Sequence, residues 1–225
     1  MNNVCIIIAT HKEILEKDEE RSFMKALDIF KNRNIKLVLP DNISKAYYEQ
    51  HKDKNHNFEY VTVKKEWMKD SKSYNKMCCL KEFWELFQNY DYALIYQTDC
   101  WVYEDRLDEF MKLGYDRYGA PWPHYGDNVG NGGFCLRKVS KMLEITSKHS
   151  NVYAENEDTW FCLGHKNEMN ICNLETASNF SIECIRPQYL IKVKTIPMGL
   201  HGPEAKFLWD EDGTKFLEYK KAHLQ

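Results

Sequence analysis

Hydrophobic periodicity in the first hundred residues switches repeatedly between that of a buried strand and that of an amphipathic helix. Short apolar runs at 4–9, 35–39, 58–63 and 92–97 have the length and continuity of strands covered on both faces. Between them, Phe23, Leu27 and Phe30 share one helical face, and Met77, Leu80, Trp84 and Phe87 share another. A shorter helix is expected within 43–50. Helices placed between successive strands let those strands run parallel, so the order predicts an α/β fold with a mostly parallel sheet flanked by helices. In such sheets ligands collect beyond the carboxyl ends of the strands, which directs attention to the residues after Ala9 and Gln97.

Beyond Asp99 the pattern changes. Leu107, Phe110 and Met111 suggest a short helix, and 115–123 reads as a strand entering a proline-rich turn. Residues 126–133 hold four of the ten glycines. Helices are expected at about 139–147 and from about Glu157. The stretch from Ile171 reads as irregular and ends in a charged segment, 210–225, that Phe216 and Leu217 would pack as a helix. No repeat, low-complexity tract or linker divides the chain, and 225 residues make one large domain the better reading.

Charge and composition remove several classes of function. Lys+Arg 31 against Asp+Glu 34 leaves −3, with no basic surplus to neutralise the phosphates of a nucleic acid. At 43% hydrophobic and 14% aromatic, the chain is not a disordered one. No stretch approaches the ~20 apolar residues of a membrane-spanning helix. The N-terminus enters its first apolar run at once, without the basic region and longer apolar core of a secretion signal. The eight cysteines form no C-x-x-C pair and several sit inside apolar runs, so they read as buried free thiols in a reducing cytoplasm.

Several segments carry residues suited to chemistry. Asp99 ends an apolar strand run at the mouth of the sheet, where one carboxylate, diphosphate oxygens and waters can complete a Mg²⁺ or Mn²⁺ shell. It can equally cap the next segment, since Asp is favoured at turns and helix starts. Gly132 and Gly133 precede a strand-like run and allow the backbone to approach a sugar or phosphate, or simply make a tight turn. This segment is neither a P-loop nor a dinucleotide fingerprint. Glu157 and Asp158 stand just ahead of an apolar run, where acids favour a helix N-terminus. Facing a cleft, they would supply a general base and a neighbour that orients a hydroxyl-bearing substrate. Tyr74, Asn75 and Lys76 offer an aromatic face, an amide and a cation to a nucleotide, or form an ordinary helix start. Of the eight histidines, His11, His51, His56, His149 and His165 lie in polar surroundings and read as solvated, whereas His201 sits in a rigid Gly- and Pro-flanked loop.

Taken in order, Ser73-Tyr74-Asn75-Lys76-Met77, the segment from Leu94 to Val102, Tyr118-Gly119-Ala120-Pro121-Trp122, 129–139, Asn156-Glu157-Asp158 and Met198-Gly199-Leu200-His201 form a set. Together they resemble a bacterial family of glycosyltransferases of the GT-A fold, Rossmann-like and carried as a domain of unknown function. The resemblance spans roughly residues 4–205.

That resemblance implies roles. Gln97-Thr98-Asp99 occupies the place of the D-x-D motif, with Asp99 as the metal ligand and Gln97 where the first acid would stand. His201 is similar to a late histidine that supplies a second ligand to Mn²⁺ or Mg²⁺. Ala9, Thr10 and His11 would bind the base and ribose of a nucleotide-sugar donor, with Tyr74, Asn75, Lys76, Gln97, Thr98, Gly132 and Gly133 completing the donor site. Asp158 would be the base and Glu157 its acceptor-orienting neighbour. The implied activity is inverting transfer from a donor such as a UDP-sugar to a glycan of a surface polysaccharide or glycolipid. The donor would be bound by 1–100 and the acceptor by 101–225, in the cytoplasm and at the inner face of the membrane if the acceptor is lipid-linked. Trp101, Trp122 and Tyr125 would stack on the acceptor or belong to the core. Besides a structural or interaction protein that would bind no nucleotide, two other readings stay open. One is a catalytically inactive GT-A relative that binds sugar or nucleotide, favoured by the missing first acid. The other is a nucleotidyltransferase, which would carry a basic Gly-rich loop where this chain has Ala9-Thr10-His11-Lys12.

Overall fold

The four apolar runs of the first hundred residues become four adjacent parallel strands. The computed structural model describes residues 3–54, 56–126, 128–149 and 156–224; Met1, Asn2, Gln225 and, within the glycine-rich segment, Asp127 lie outside them. The strands are β1 (Val4–Ala9), β2 (Asn34–Pro40), β3 (Glu59–Val63), β4 (Tyr92–Tyr96), β5 (Cys100–Val102), β6 (Arg117–Tyr118), β7 (Pro121–Trp122), β8 (Asn128–Val129), β9 (Phe134–Lys138), β10 (Ser181–Ile182) and β11 (Gly199–His201). The helices are α1 (Lys17–Ile29), α2 (Ala46–Glu49), α3 (Ser71–Cys78), α4 (Lys81–Glu85), α5 (Leu107–Lys112), α6 (Val139–Lys148), α7 (Glu157–Thr159), α8 (Leu174–Phe180), α9 (Pro187–Leu190) and α10 (Thr214–His223). The main sheet runs β3-β2-β1-β4-β9-β6, with β9 antiparallel to both of its neighbours and the first four strands parallel.

Both faces of this sheet are covered, which is why its strands read as continuous apolar runs. Ile6, Ile8, Leu94 and Tyr96 point to one face and meet Phe23, Leu27 and Phe30 along α1 and its C-cap. Their neighbours Cys5, Ile7, Ala93 and Ile95 point to the other and meet Met77, Phe83, Trp84 and Ile145 from α3, α4 and α6. Each fully buried Ile, Leu or Phe contributes roughly 1.5–3 kcal/mol relative to exposure. The acidic first turn of α1 suits its partly positive end, and the backbone N–H of Glu16 donates to the Glu19 carboxylate at 3.0 Å.

A second sheet, β10-β11-β5, lies over a separate cluster of Trp101, Leu200, Leu208, Trp209 and Phe216. Antiparallel pairing of β11 with β5 sets His201 opposite Cys100. One register thereby brings the end of β11 beside Asp99.

Three expectations need correction. Met77, Leu80, Trp84 and Phe87 do not share one helix: the chain breaks at Cys79-Leu80, where Leu80 is extended, and the Trp84 indole N–H donates to the Cys78 carbonyl at 2.7 Å across the break. The last third is ordered by α8, α9 and β11 rather than irregular. In α10, Phe216 is buried but Leu217 is exposed. Of the two readings given for Trp101, the core one holds: it is buried and stacked on Trp209 at 5.2 Å. The cysteines are free thiols, seven buried and Cys184 partly so.

Candidate functional site

A cavity of about 310 Å³ opens beyond the carboxyl ends of β1 and β4, the place a parallel sheet offers a ligand. Its walls include Ala9, Thr10 and His11 after β1, Tyr74 from α3, and Gln97, Thr98 and Asp99 after β4. Thr10 is tied down by its N–H to the Val38 carbonyl at 3.1 Å. The Thr98 hydroxyl reaches Glu19 at 3.3 Å, and Lys12 pairs with the other Glu19 oxygen at 2.9 Å. Lys12, ahead of α1, and Glu19, on α1, thus border the same opening. Asp70 caps α3 by accepting from the Ser73 N–H at 2.7 Å, which fixes the turn on which Tyr74 sits.

At one end of the cavity the chain converges on His201. Its Nε2 lies 3.4 Å from Asp99 Oδ1 and 3.3 Å from Gln97 Oε1, and its Nδ1 lies 3.3 Å from Glu183 Oε1. Two backbone bonds hold the cluster: Gly202 N–H donates to the Asp99 carbonyl at 3.1 Å, and Gln97 N–H to the Gly133 carbonyl at 3.0 Å. Burial opposes a charged imidazolium, but Asp99 and Glu183 on either side outweigh it and lift His201 to about 9. Burial likewise opposes ionisation of Asp99, and His201 overcomes it, holding the carboxyl below its ordinary value.

The donor chemistry fits a hard divalent cation. Ligands on adjacent octahedral positions about 2.1 Å from an ion stand about 3 Å apart, close to the spacing of the Asp99 and Gln97 oxygens from the imidazole nitrogen. The opposite ring nitrogen faces the Glu183 carboxylate, the arrangement that orients metal-bound histidines. Cys100 lies close enough to join Asp99 and His201. Its thiol instead donates to the Gly133 carbonyl at 3.2 Å, and burial keeps it protonated.

The acid pair lies on the other side of the same glycines. Glu157 is buried, with Oε1 accepting from Arg137 at 2.6 Å and Oε2 lying 3.6 Å from Arg117. Its N–H donates to the Asn75 side chain at 3.1 Å, linking α7 to α3. Burial opposes its ionisation, but the two guanidinium groups hold the carboxyl below its usual value. Asp158 is only partly buried, and its Oδ1 accepts from the Thr159 N–H at 2.7 Å. Burial first, and then the charge of Glu157, raise its pKa. One carboxylate is locked between two arginines and the other is partly open to solvent.

Gly132 and Gly133 join the two halves. A Cβ on Gly132 would stand 2.0 Å from Glu157 Oε1, and one on Gly133 2.0 Å from His201 Nε2. The room these glycines leave is filled by protein side chains, not held open for a ligand. The remaining candidates lie in different surroundings. Lys76 is exposed and is not among the residues lining the cavity. Glu157 is buried between Arg137 and Arg117. Trp122 is buried against Tyr125, whose ring is exposed. His149 and His165 are not solvated: both contact Glu168.

Arg117, Arg137 and Glu183 were not singled out from sequence. Arg137 did carry a signal, because a charge directly following Phe134-Cys135-Leu136 must be paired if that strand is buried.

The mostly parallel α/β sheet, covered by helices on both faces, has a GT-A-like fold. Residues 57–201 match the family described as protein of unknown function (DUF5672), and the chain belongs to that family. No curated protein matches it. Among solved structures, glycosyltransferase GlyE of Streptococcus pneumoniae TIGR4 superposes with a TM-score of 0.61 at 14% identity, over 100% of this chain and 61% of GlyE. The chain therefore spans about three-fifths of that relative, and 54% of GlyE in its apo form. Mouse xyloside xylosyltransferase 1 gives a TM-score of 0.57 at 9% identity, over 89% of this chain and 97% of that one. An active-site mutant of LgtC gives 0.58 at 16% identity, over 97% and 94%. At these identities the likeness is one of fold. No helix among the described residues is long and apolar enough to cross a membrane.

Proposed function

We propose that the chain is a metal-dependent glycosyltransferase, a single domain in which 1–100 hold a nucleotide-sugar donor and 101–225 present a glycan or glycolipid acceptor. The observation that carries the reading is the meeting of Asp99, Gln97 and His201 at one end of the cavity beyond β1 and β4. Asp99 and His201 would hold Mn²⁺ or Mg²⁺, with Gln97 supplying a neutral oxygen where a first acid would stand. When bound, the cation would offset the negative charge that develops on a departing diphosphate.

The chain's own residues supply the rest. Ala9, Thr10 and His11 would line the nucleoside end, Tyr74 would offer its ring, and Lys12 would add a positive charge near the diphosphate. UDP is the nucleotide we favour. Asp158 would take the proton from the acceptor hydroxyl as that oxygen attacks the anomeric carbon, giving inversion. Its raised pKa suits a base better than that of a fully solvated aspartate. Glu157, held by Arg137 and Arg117, would fix the turn that presents Asp158.

The test is donor turnover. The protein is incubated with a panel of nucleotide sugars and Mn²⁺, and release of free nucleotide is followed. Slow hydrolysis of one donor, abolished in Asp158→Asn, is expected. Tight nucleotide binding without turnover of any donor, with or without glycan acceptors, would favour an inactive nucleotide-binding relative instead.

A further inference from the structure

A second constellation of metal-binding side chains lies outside the donor cavity. His149 is the C-cap of α6, His165 precedes the short turn Lys166–Glu168, and Glu168 is its last residue. His149 Nε2 lies 2.8 Å and His165 Nδ1 3.1 Å from the same oxygen, Glu168 Oε1. The two imidazole rings are 4.1 Å apart and inclined by 32°, and the three ligand atoms all lie within 4.8 Å of one another. Lys148 pairs with the other oxygen, Oε2, at 2.5 Å, which leaves Oε1 to the histidines. Trp160 packs edge-on against His165 at 4.5 Å and restrains its ring. All three side chains are partly buried, so the group is ordered yet reachable from water.

Two imidazole nitrogens and one carboxylate oxygen form a donor set suited to a borderline cation, and zinc takes such a set with a fourth position left to water. Tetrahedral ligands about 2.0–2.1 Å from zinc stand about 3.3 Å apart, so the two nitrogen–oxygen distances of 2.8 and 3.1 Å need to lengthen by only about half an ångström or less. We propose that His149, His165 and Glu168 form a zinc-class metal site that ties the C-terminal end of α6 to the turn at Lys166–Glu168. Glu157 and Asp158 lie in the helical turns 157–164 that lead directly into His165, so a metal there would anchor the C-terminal side of the turn presenting Asp158. Metal binding here does not depend on the transferase reading, and its donors differ from the oxygen-rich set at Asp99.

The experiment titrates the full chain with Zn²⁺ by calorimetry and with Co²⁺ by visible absorption. One equivalent is expected to bind in the micromolar range or tighter in the Asp99→Asn/His201→Ala double variant, with a tetrahedral Co²⁺ spectrum. His149→Ala and His165→Ala should each weaken binding by more than the roughly 10- to 100-fold that losing an outer partner of a metal ligand costs. Carbethoxylation of the unsubstituted protein gives an independent readout if those variants do not fold: Zn²⁺ should protect His149 and His165 together. Binding no tighter than millimolar, binding unchanged by both histidine substitutions, or no protection of the pair would each overturn the site.

Discussion

A Cβ placed on Gly133 would stand 2.0 Å from Nε2 of His201, the nitrogen that faces Asp99. Gly133 lies in the turn before β9 and donates its N–H to the Asn131 side chain at 3.0 Å. Its backbone is not in the left-handed region, so a Gly133→Ala chain can adopt the conformation and the cost falls on the imidazole. The expected outcome is a folded protein whose Mn²⁺-dependent nucleotide affinity drops at least about tenfold, equivalent to about 1.4 kcal/mol, read by calorimetry. Unchanged affinity would mean that His201 does not hold the cation.

Gly132 makes the corresponding contact with Glu157, and there the consequence is stability. Among the described residues, Glu157 is the carboxylate that faces both Arg137 and Arg117. Removing one partner of a buried ion pair costs about 3–5 kcal/mol, so Glu157→Ala should lower the unfolding free energy by that order. In urea titrations the midpoint should fall at an unchanged slope.

Glu157 and Asp158 should also shape the acid dependence of stability in opposite senses. The folded-state pKa of Glu157 lies below its ordinary value. Its contribution is therefore complete above the ordinary glutamate range and is lost as pH falls through the lower folded value. Asp158 has a raised folded value, so its ionisation opposes folding above that value and the penalty disappears as pH falls through it. Denaturant titrations across the acid range should show a shallower loss of stability in Glu157→Gln and a steeper one in Asp158→Asn than in the unsubstituted chain.

Asp158→Asn should separate binding from chemistry. Loss of a general base lowers turnover by about 10²–10⁴-fold, while nucleotide affinity should stay within about twofold, because Asp158 does not line the donor cavity. The acid limb of the pH–rate profile should lie above the ordinary aspartate range, as burial and Glu157 require. A profile with its limb at the ordinary value would place the base elsewhere.

Much of the fold was legible because burial leaves a plain pattern. Residues 4–9 and 92–97 are continuous apolar runs, and they are the two parallel strands whose ends frame the cavity. The break at Cys79-Leu80 was hidden because Met77, Leu80, Trp84 and Phe87 keep helical spacing across it; the Trp84–Cys78 bond that closes the break is a tertiary detail. The site was legible residue by residue but not as contacts. Asp99 and His201 each had a local signal, yet only the pairing of β5 with β11 places one beside the other. The glycines stand out for the space they leave, and which atoms fill that space depends on the folding of distant segments. Glu183 had no signal at all, since an acid between Ile182 and Cys184 looks like any other until β10 lies next to β11.

The most direct measurement is a calorimetric titration of the chain with UDP in the presence and absence of Mn²⁺, repeated on Asp99→Asn and His201→Ala. If a cation bridges Asp99 and His201 to a diphosphate, UDP binding should tighten at least about tenfold with Mn²⁺, and both substitutions should remove the increment while leaving the metal-free affinity little changed. UDP binding that is independent of metal, and the same in both variants, would contradict it.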